Sequence, residues 1–189
     1  MPQPDAVSAC PVAPSPTGEV DANGPIWKQG AFRRDPWQPS PAAGEFGSAP
    51  LLLDKRRWVA ERDALLSRPA PLGLRLEGGE SIEDIADDLG RFALITLNFA
   101  KFSDGRGLST ARLLREKFGF AGELRAVGNV LSDQIPFMRR VGFDAFEVQH
   151  AATRRALREE RIAEVRLYYQ PVGSAPGTQT RAWRRDSRG

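Results

Sequence analysis

The sequence predicts an α/β fold built on a mainly parallel sheet of about four or five strands, with helices between them. Three observations predict it. Short apolar or alternating runs at residues 72–76, 92–99, 124–127 and 145–148 read as strands. Stretches with helical periodicity separate them, and Gly or Pro punctuates nearly every junction. Strands that alternate with helices pair in parallel through right-handed crossovers. A doubly wound sheet and a partial β/α barrel both satisfy that connectivity.

Each element has a local reason. Residues 1–24 are rich in Pro, Ala, Ser and Gly, cannot repay their ordering entropy, and are expected to be a disordered extension. Residues 25–50 read as a hairpin and linker. A Gln29-Gly30 turn is bracketed by Ile26-Trp27 and Phe32, and Trp27, Phe32 and Trp37 are expected to pack on the body. The α/β domain spans 51–172. Trp58, Val59, Leu65 and Leu66 place a helix over about 55–67, which Pro69 stops.

Leu72-Gly73-Leu74-Arg75-Leu76 alternates as a strand. Ser81 is the expected cap of a helix that carries Ile82, Ile85, Ala86 and Leu89 and closes at Gly90. Residues 92–99 are a near-continuous apolar run, the mark of a central strand covered on both faces. A helix capped by Ser109 or Thr110 carries Ala111, Leu114 and Phe118. Strand 124–127, a helix over about 132–140 with Pro136 near its first turn, strand 145–148, a charged helix from Ala152 to about Glu164, and a last strand at Leu167-Tyr168-Tyr169 complete the series. Residues 173–189 are expected to be a disordered basic tail, where Arg181, Arg184, Arg185 and Arg188 face only Asp186.

Composition excludes several classes of function. The only cysteine is Cys10 and the only histidine is His150, which rules out an intramolecular disulfide, a cysteine-ligated cluster and a His-rich metal site within one chain. The net charge of +3 is small and concentrated near the end of the chain, so nucleic-acid binding is not expected. No run approaches the roughly 20 apolar residues of a membrane helix. Residues 1–25 lack the basic and apolar regions of a secretory signal, so the expected location is the cytoplasm. Homo-oligomerisation stays open.

In parallel α/β folds ligands gather beyond the C-terminal ends of the strands, which singles out residues 77–80, 101–109, 128–133 and 149–153. Lys101, Asp104, Arg106, Gly107 and Ser109 combine cations, glycine flexibility and a helix N-terminus, a set suited to an anion. Asn129 and Asp133, after the neighbouring strand, are expected to border the same space. Arg125 is the weakest member, because strand alternation turns it toward a sheet face. The bland alternative is an Asp104–Arg106 ion pair in a turn. His150, just past a strand, is a candidate acid–base group, though a lone histidine there is usually a loop residue. Asp104, Asp133 and Glu147 have no spacing that demands a carboxylate pair or a magnesium site.

Three motifs, in order, carry a resemblance. They are Asp104-Gly105-Arg106-Gly107-x-Ser109-x-Ala111-Arg112-Leu113-Leu114-Arg115, then Gly122-Glu123-Leu124-Arg125-Ala126-x-Gly128-x-Val130-Leu131-x-Asp133-Gln134, then Gly142-Phe143-Asp144-Ala145-Phe146. With Trp58-Val59-Ala60-Glu61-Arg62-Asp63 and Tyr169-Gln170-Pro171, the chain from about Ile26 to Val172 resembles a bacterial domain-of-unknown-function family, number nine-three-four. Members of that family are commonly encoded beside assimilatory sulfite reductase. The resemblance therefore implies a role in reductive sulfur assimilation, and it brings no catalytic residues with it. The sequence departs from the family pattern at Asn129, where Asp is usual, and at Ile135-Pro136.

The resulting expectation is an accessory protein that acts through a partner such as sulfite reductase or another sulfur-assimilation enzyme. It is expected to carry no flavin, nicotinamide or other cofactor, because Gly105-x-Gly107 is no dinucleotide fingerprint. The alternative is a small anion-binding enzyme or module using the loop from Asp104 to Ser109. Whether the chain is catalytic is left open.

Overall fold

The computed structural model describes residues 15–41, 47–101 and 104–162. The elements run β1 (Ile26–Lys28), β2 (Ala31–Arg33), β3 (Gln38–Pro39), β4 (Leu51–Asp54), α1 (Lys55–Leu66), β5 (Leu72–Leu76), a 3₁₀ helix (Glu83–Arg91), β6 (Phe92–Phe99), α2 (Arg106–Glu116), β7 (Glu123–Gly128), α3 (Ile135–Arg140), β8 (Ala145–Glu147) and α4 (Ala151–Arg158). They form one sheet of eight strands, more than the four or five expected, in the order β2-β1-β8-β7-β6-β5-β4-β3. From β3 to β8 the pairing is parallel, and the hairpin β1–β2 joins β8 antiparallel. The last strand expected at 167–169 and the basic tail lie outside the described residues.

The strand order corrects the doubly wound alternative. A doubly wound sheet reverses its strand order at a switch point, whereas β4 to β8 follow one another without reversal. Repeated right-handed crossovers then place the helices on one face. The apolar side chains agree. Leu74, Leu76, Ile95, Leu97, Leu124, Ala126 and Phe146 join Trp58, Leu65, Ala111, Leu114, Met138 and Leu157 of the helices in one cluster. Leu94, Ala93 and Trp37 form a separate cluster, with Leu52 packed against it.

The connection from β2 to β3 requires the sheet to curl. Arg33 and Gln38 sit on opposite edges of the sheet, only five residue steps apart, a reach of at most about 18 Å. A flat eight-stranded sheet would separate its edges by about 34 Å. The sheet is therefore rolled into an open barrel, with a seam between β2 and β3 that residues 34–37 span. Trp37 seals the concave side. Its ring lies so close over Gly73 that a Cβ there would sit 2.9 Å from it.

Residues 15–24 are a second correction, because they are fastened to the body. Val20 bridges Arg33 antiparallel, Asp21 donates its backbone N–H to the Phe32 carbonyl at 2.9 Å, and the Ser15 hydroxyl donates to Glu123 at 3.1 Å. Arg154 clamps the same segment by donating to the Gly24 and Ala22 carbonyls, with its guanidinium 4.0 Å over the Phe32 ring. Backbone pairing along the β2 edge orders what composition alone would leave loose. Residues 1–14 lie outside the described residues.

Local sequence explains the rest. Gln29 and Gly30 both have positive φ and close the β1–β2 hairpin. Asp54 caps α1 by accepting from the Arg57 backbone N–H at 2.8 Å. Trp58, fully buried, meets Phe92 edge-on at 4.6 Å and donates to Asp88 at 3.1 Å, while Arg62 grips the same carboxylate with two hydrogen bonds. The segment after Ser81 is a 3₁₀ helix that runs through Gly90 to Arg91 rather than an α-helix closed at Gly90. The last described helix stops at Arg158, short of Glu164.

Candidate functional site

The parallel strands deliver four loops to one rim of the barrel. Two glycines, Gly78 and Gly79, follow β5 and make a flat shelf. On that shelf lies the Asp104–Arg106 pair. The guanidinium grips the carboxylate from Nε at 2.9 Å and Nη2 at 2.6 Å, and the Arg106 backbone N–H adds a third bond at 3.2 Å. A Cβ on Gly78 would stand 2.9 Å from Asp104 Oδ2, and one on Gly79 would stand 2.8 Å from Arg106 Nη1, so a side chain at either glycine would displace the pair from the shelf. Gly79 also has φ of +90°, which glycine adopts freely.

The electrostatics follow from this geometry. The Arg106 side chain, its backbone N–H and the nearby Lys101 charge together lower the Asp104 carboxyl to about 2. The same bonds raise the Arg106 pKa. Because the Asp104 value is depressed, the pair contributes above the ordinary aspartate value of 3.8, and its contribution is lost as pH falls toward about 2. Arg106 is largely open to solvent, with 65% of its side chain exposed against 18% for Asp104, so the effect on overall stability is small.

The remaining residues expected in an anion site divide. Gly107 is buried with Phe99 against its Cα, 2.8 Å from where a Cβ would stand, and so serves the packing of α2 on β6. Ser109 is exposed, and its N–H bonds the Gly105 carbonyl at 3.4 Å. Lys101 and Asp133 are exposed. Asn129, one loop away, accepts through Oδ1 from His150 Nε2 at 2.9 Å, and its backbone N–H bonds the Phe99 carbonyl at 2.8 Å. His150 is thus tied to Asn129 across the β7 and β8 loops. Glu147 accepts from Gln149 at 2.8 Å, apart from Asp104.

Arg125 does not reach the rim. The register aligns Arg75, Thr96, Arg125, Ala145 and Lys28 across five strands on the concave face. There Arg125 is buried and bonds Glu123 through Nε at 2.9 Å and Nη2 at 2.7 Å, and Asp35 through Nη1 at 3.0 Å. Lys28 completes the network with Glu123 at 2.6 Å. Glu123 opens β7, so this cluster sits at the end of the barrel opposite the rim, where it ties the wall to the seam segment.

Two rim residues were not expected from sequence. Asn98 donates to Glu77 at 2.6 Å, and Arg75 reaches Glu77 at 3.5 Å. The available signal was Asn98 itself, a lone amide near the end of an otherwise apolar strand. Its partner lies 21 residues away, a separation that no local pattern reveals.

Among the described residues no group of three or more His, Cys, Asp or Glu is placed to hold a metal ion, and no helix is long and apolar enough to cross a membrane. The model of a family described as "Bacterial protein of unknown function (DUF934)" matches residues 73–179. The chain belongs to this family. The DUF934 match begins on β5 and takes in every rim loop, together with the three motifs quoted above. The hairpin, β3, β4 and α1 precede it, so the resemblance from Ile26 onward is wider than the matched span. No match was found among the curated proteins or the solved structures.

Proposed function

We propose that this DUF934 protein is a cytoplasmic accessory protein of reductive sulfur assimilation that acts through a partner enzyme, sulfite reductase being the first candidate. Family membership supports the pathway, through the gene neighbourhood that the resemblance implies. The observation that carries the partner reading is the Asp104–Arg106 pair on its glycine shelf. A carboxylate already occupies the position beside the first turn of α2 that a small anion would take, and the Leu108 and Ser109 N–H groups are spent on the Gly105 carbonyl. This weighs against the alternative of a small anion-binding module. Arg106 nonetheless keeps 65% of its side chain exposed while held in one orientation. A pre-ordered, exposed arginine favours contact with a protein surface.

Co-purification of the full chain with sulfite reductase tests the proposal. The wild type is expected to form a complex that survives washing. Arg106→Ala is expected to weaken it about tenfold or more, with the melting temperature nearly unchanged. The Asp104 carboxyl, followed by NMR, should then climb from about 2 toward the ordinary aspartate range. Absence of a wild-type complex overturns the proposal. So does an Arg106→Ala protein that melts many degrees lower while still capturing the enzyme, because Arg106 would then be a structural ion-pair member.

A further inference from the structure

At the end of the barrel opposite the rim, the β1–β2 turn and the ends of α3 and α4 border a cavity of about 370 Å³, lined by Trp27, Gly30, Arg139, Leu157, Glu160 and Ile162. β1 runs antiparallel to β8, and Lys28 pairs with Ala145, so the turn lies at the start of β8 and far from the rim. The volume falls in the lower part of the range for small-molecule sites. Trp27 and Leu157 are buried and Ile162 packs against the same core, so one part of the lining is apolar. Gly30 leaves the turn side open, since nothing lies within 4 Å of its Cβ position. Two lining residues carry opposite charges. Arg139 is the next-to-last residue of α3, and Glu160 lies just past the end of α4.

Glu160 has an unusual backbone. Its φ is +52°. Its N–H donates to the Leu157 carbonyl at 3.3 Å, and the Arg161 N–H donates to the Ala156 carbonyl at 2.9 Å. This pair of bonds closes a helix on a left-handed residue, a place that glycine usually fills. A glutamate there carries a backbone strain that the helix end does not require. Its carboxylate does not offset that strain. No ion pair among the described residues involves Glu160, and Arg161 turns to Glu159 instead. Strain of this kind collects where a side chain is held for a ligand, and here the side chain is an unpaired acid on the lining of a cavity.

We propose that this cavity binds a free α-amino acid with an apolar side chain, its ammonium on the Glu160 carboxylate, its carboxylate toward the Arg139 charge, and its side chain on Trp27, Leu157 and Ile162. A simple amine would set its charge near Arg139 with nothing to balance it, and a simple carboxylate would meet Glu160 in the same way. Opposite charges on one small head therefore match this lining best. Arg139 holds a contact of its own, and it enters here through its charge. The site stands apart from the rim and does not rest on the accessory role.

Titration of the full chain with L-leucine tests it, with 3-methylbutylamine and 4-methylpentanoate as controls that each lack one of its charges. The Trp27 indole N–H resonance is expected to shift saturably with leucine, and both controls to bind about tenfold or more weakly. Glu160→Gly separates a ligand role from a structural one. Relief of the left-handed backbone should raise the melting temperature by about 2–4 °C, while leucine binding falls by about tenfold or more. Glu160→Gln keeps the strain and loses the charge, so its binding should fall as far with the melting temperature unchanged. Arg139→Gln should erase the preference for leucine over the amine. The proposal is overturned by an absent or unsaturable response to leucine, by a control that binds as well as leucine, by full binding in Glu160→Gly or Glu160→Gln, or by an unchanged preference for leucine over the amine in Arg139→Gln.

Discussion

Replacing Arg125 by Ala is expected to destabilise the protein by about 3–5 kcal/mol, the cost of stranding one member of a buried ion network, and to lower the melting temperature by about 10 °C or more. The side chains of Arg125 and Glu123 are 3% and 2% exposed, so neither charge can turn to water when the other is lost. Burial pushes the Glu123 carboxyl up. Arg125 first, then Lys28, outweighs that push and holds it below the usual glutamate value. The network therefore contributes above the unfolded value of 4.5 and is lost as pH falls. In the variant Lys28 is the only remaining counter-charge, and acid unfolding should begin at higher pH. Asp35→Asn, which removes the partly exposed arm of the network, should cost far less. Denaturant unfolding of the two variants decides the matter. An Arg125→Ala loss no larger than that of Asp35→Asn would show that the interior network is not what binds the seam segment to the barrel wall.

Gly128→Val is expected to damage stability and the rim together. Gly128 has φ of +90°, a conformation that costs a side-chain-bearing residue about 1–3 kcal/mol, and most for a β-branched one. A Cβ there would stand 2.6 Å from Asn98 Oδ1 and 2.7 Å from the Phe99 carbonyl, so backbone must move as well. The Phe99 carbonyl accepts from the Asn129 N–H, and Asn129 in turn holds His150. Displacing it disturbs two rim loops at once. Gly30→Val provides the control. Its φ is +78° but nothing lies within 4 Å of its Cβ position, so it carries backbone strain without the clash. Thermal melts should rank Gly128→Val well below Gly30→Val, and only Gly128→Val should shift the His150 ring resonances. Equal melts with an unmoved His150 spectrum would contradict this reading of the rim.

What the sequence made legible follows from which signals are local. β6 was readable because both its faces are buried, leaving a run from Phe92 to Leu97 that is apolar except for Thr96. β5, α1 and the Gln29-Gly30 turn were readable because alternation, helical spacing and turn chemistry are local. β4 was hidden because Leu51-Leu52-Leu53 runs straight into α1 through its cap Asp54, and the whole stretch reads as one helix start. β3 has two residues, one of them Pro39, and so has no period to detect. The strand order, and with it the choice of an open barrel over a doubly wound sheet, is a property of long-range pairing that no window of sequence contains.

The candidate site shows the same division. The loop at Asp104 and Arg106 was found, and its glycines and cations were correctly located at the strand ends. Pairing of Arg106 with Asp104 was the bland alternative, and a spacing of two residues lets the carboxylate reach the guanidinium. Arg125, expected as the weakest member of that site, lies instead on the sheet face away from the rim with Glu123 and Asp35, the outcome that alternation had left open. The Asn98–Glu77 and Asn129–His150 contacts, each 21 residues apart, depend on neighbouring strands and had no local trace.

Hydrogen–deuterium exchange of the full chain, alone and with sulfite reductase, tests the central claim most directly. The account predicts slower exchange on complex formation at the rim, in residues 77–80, 104–109 and 128–134, with no change around Gly30 and Glu160 at the opposite end. Unchanged exchange at the rim, or protection confined to the opposite end, would contradict it.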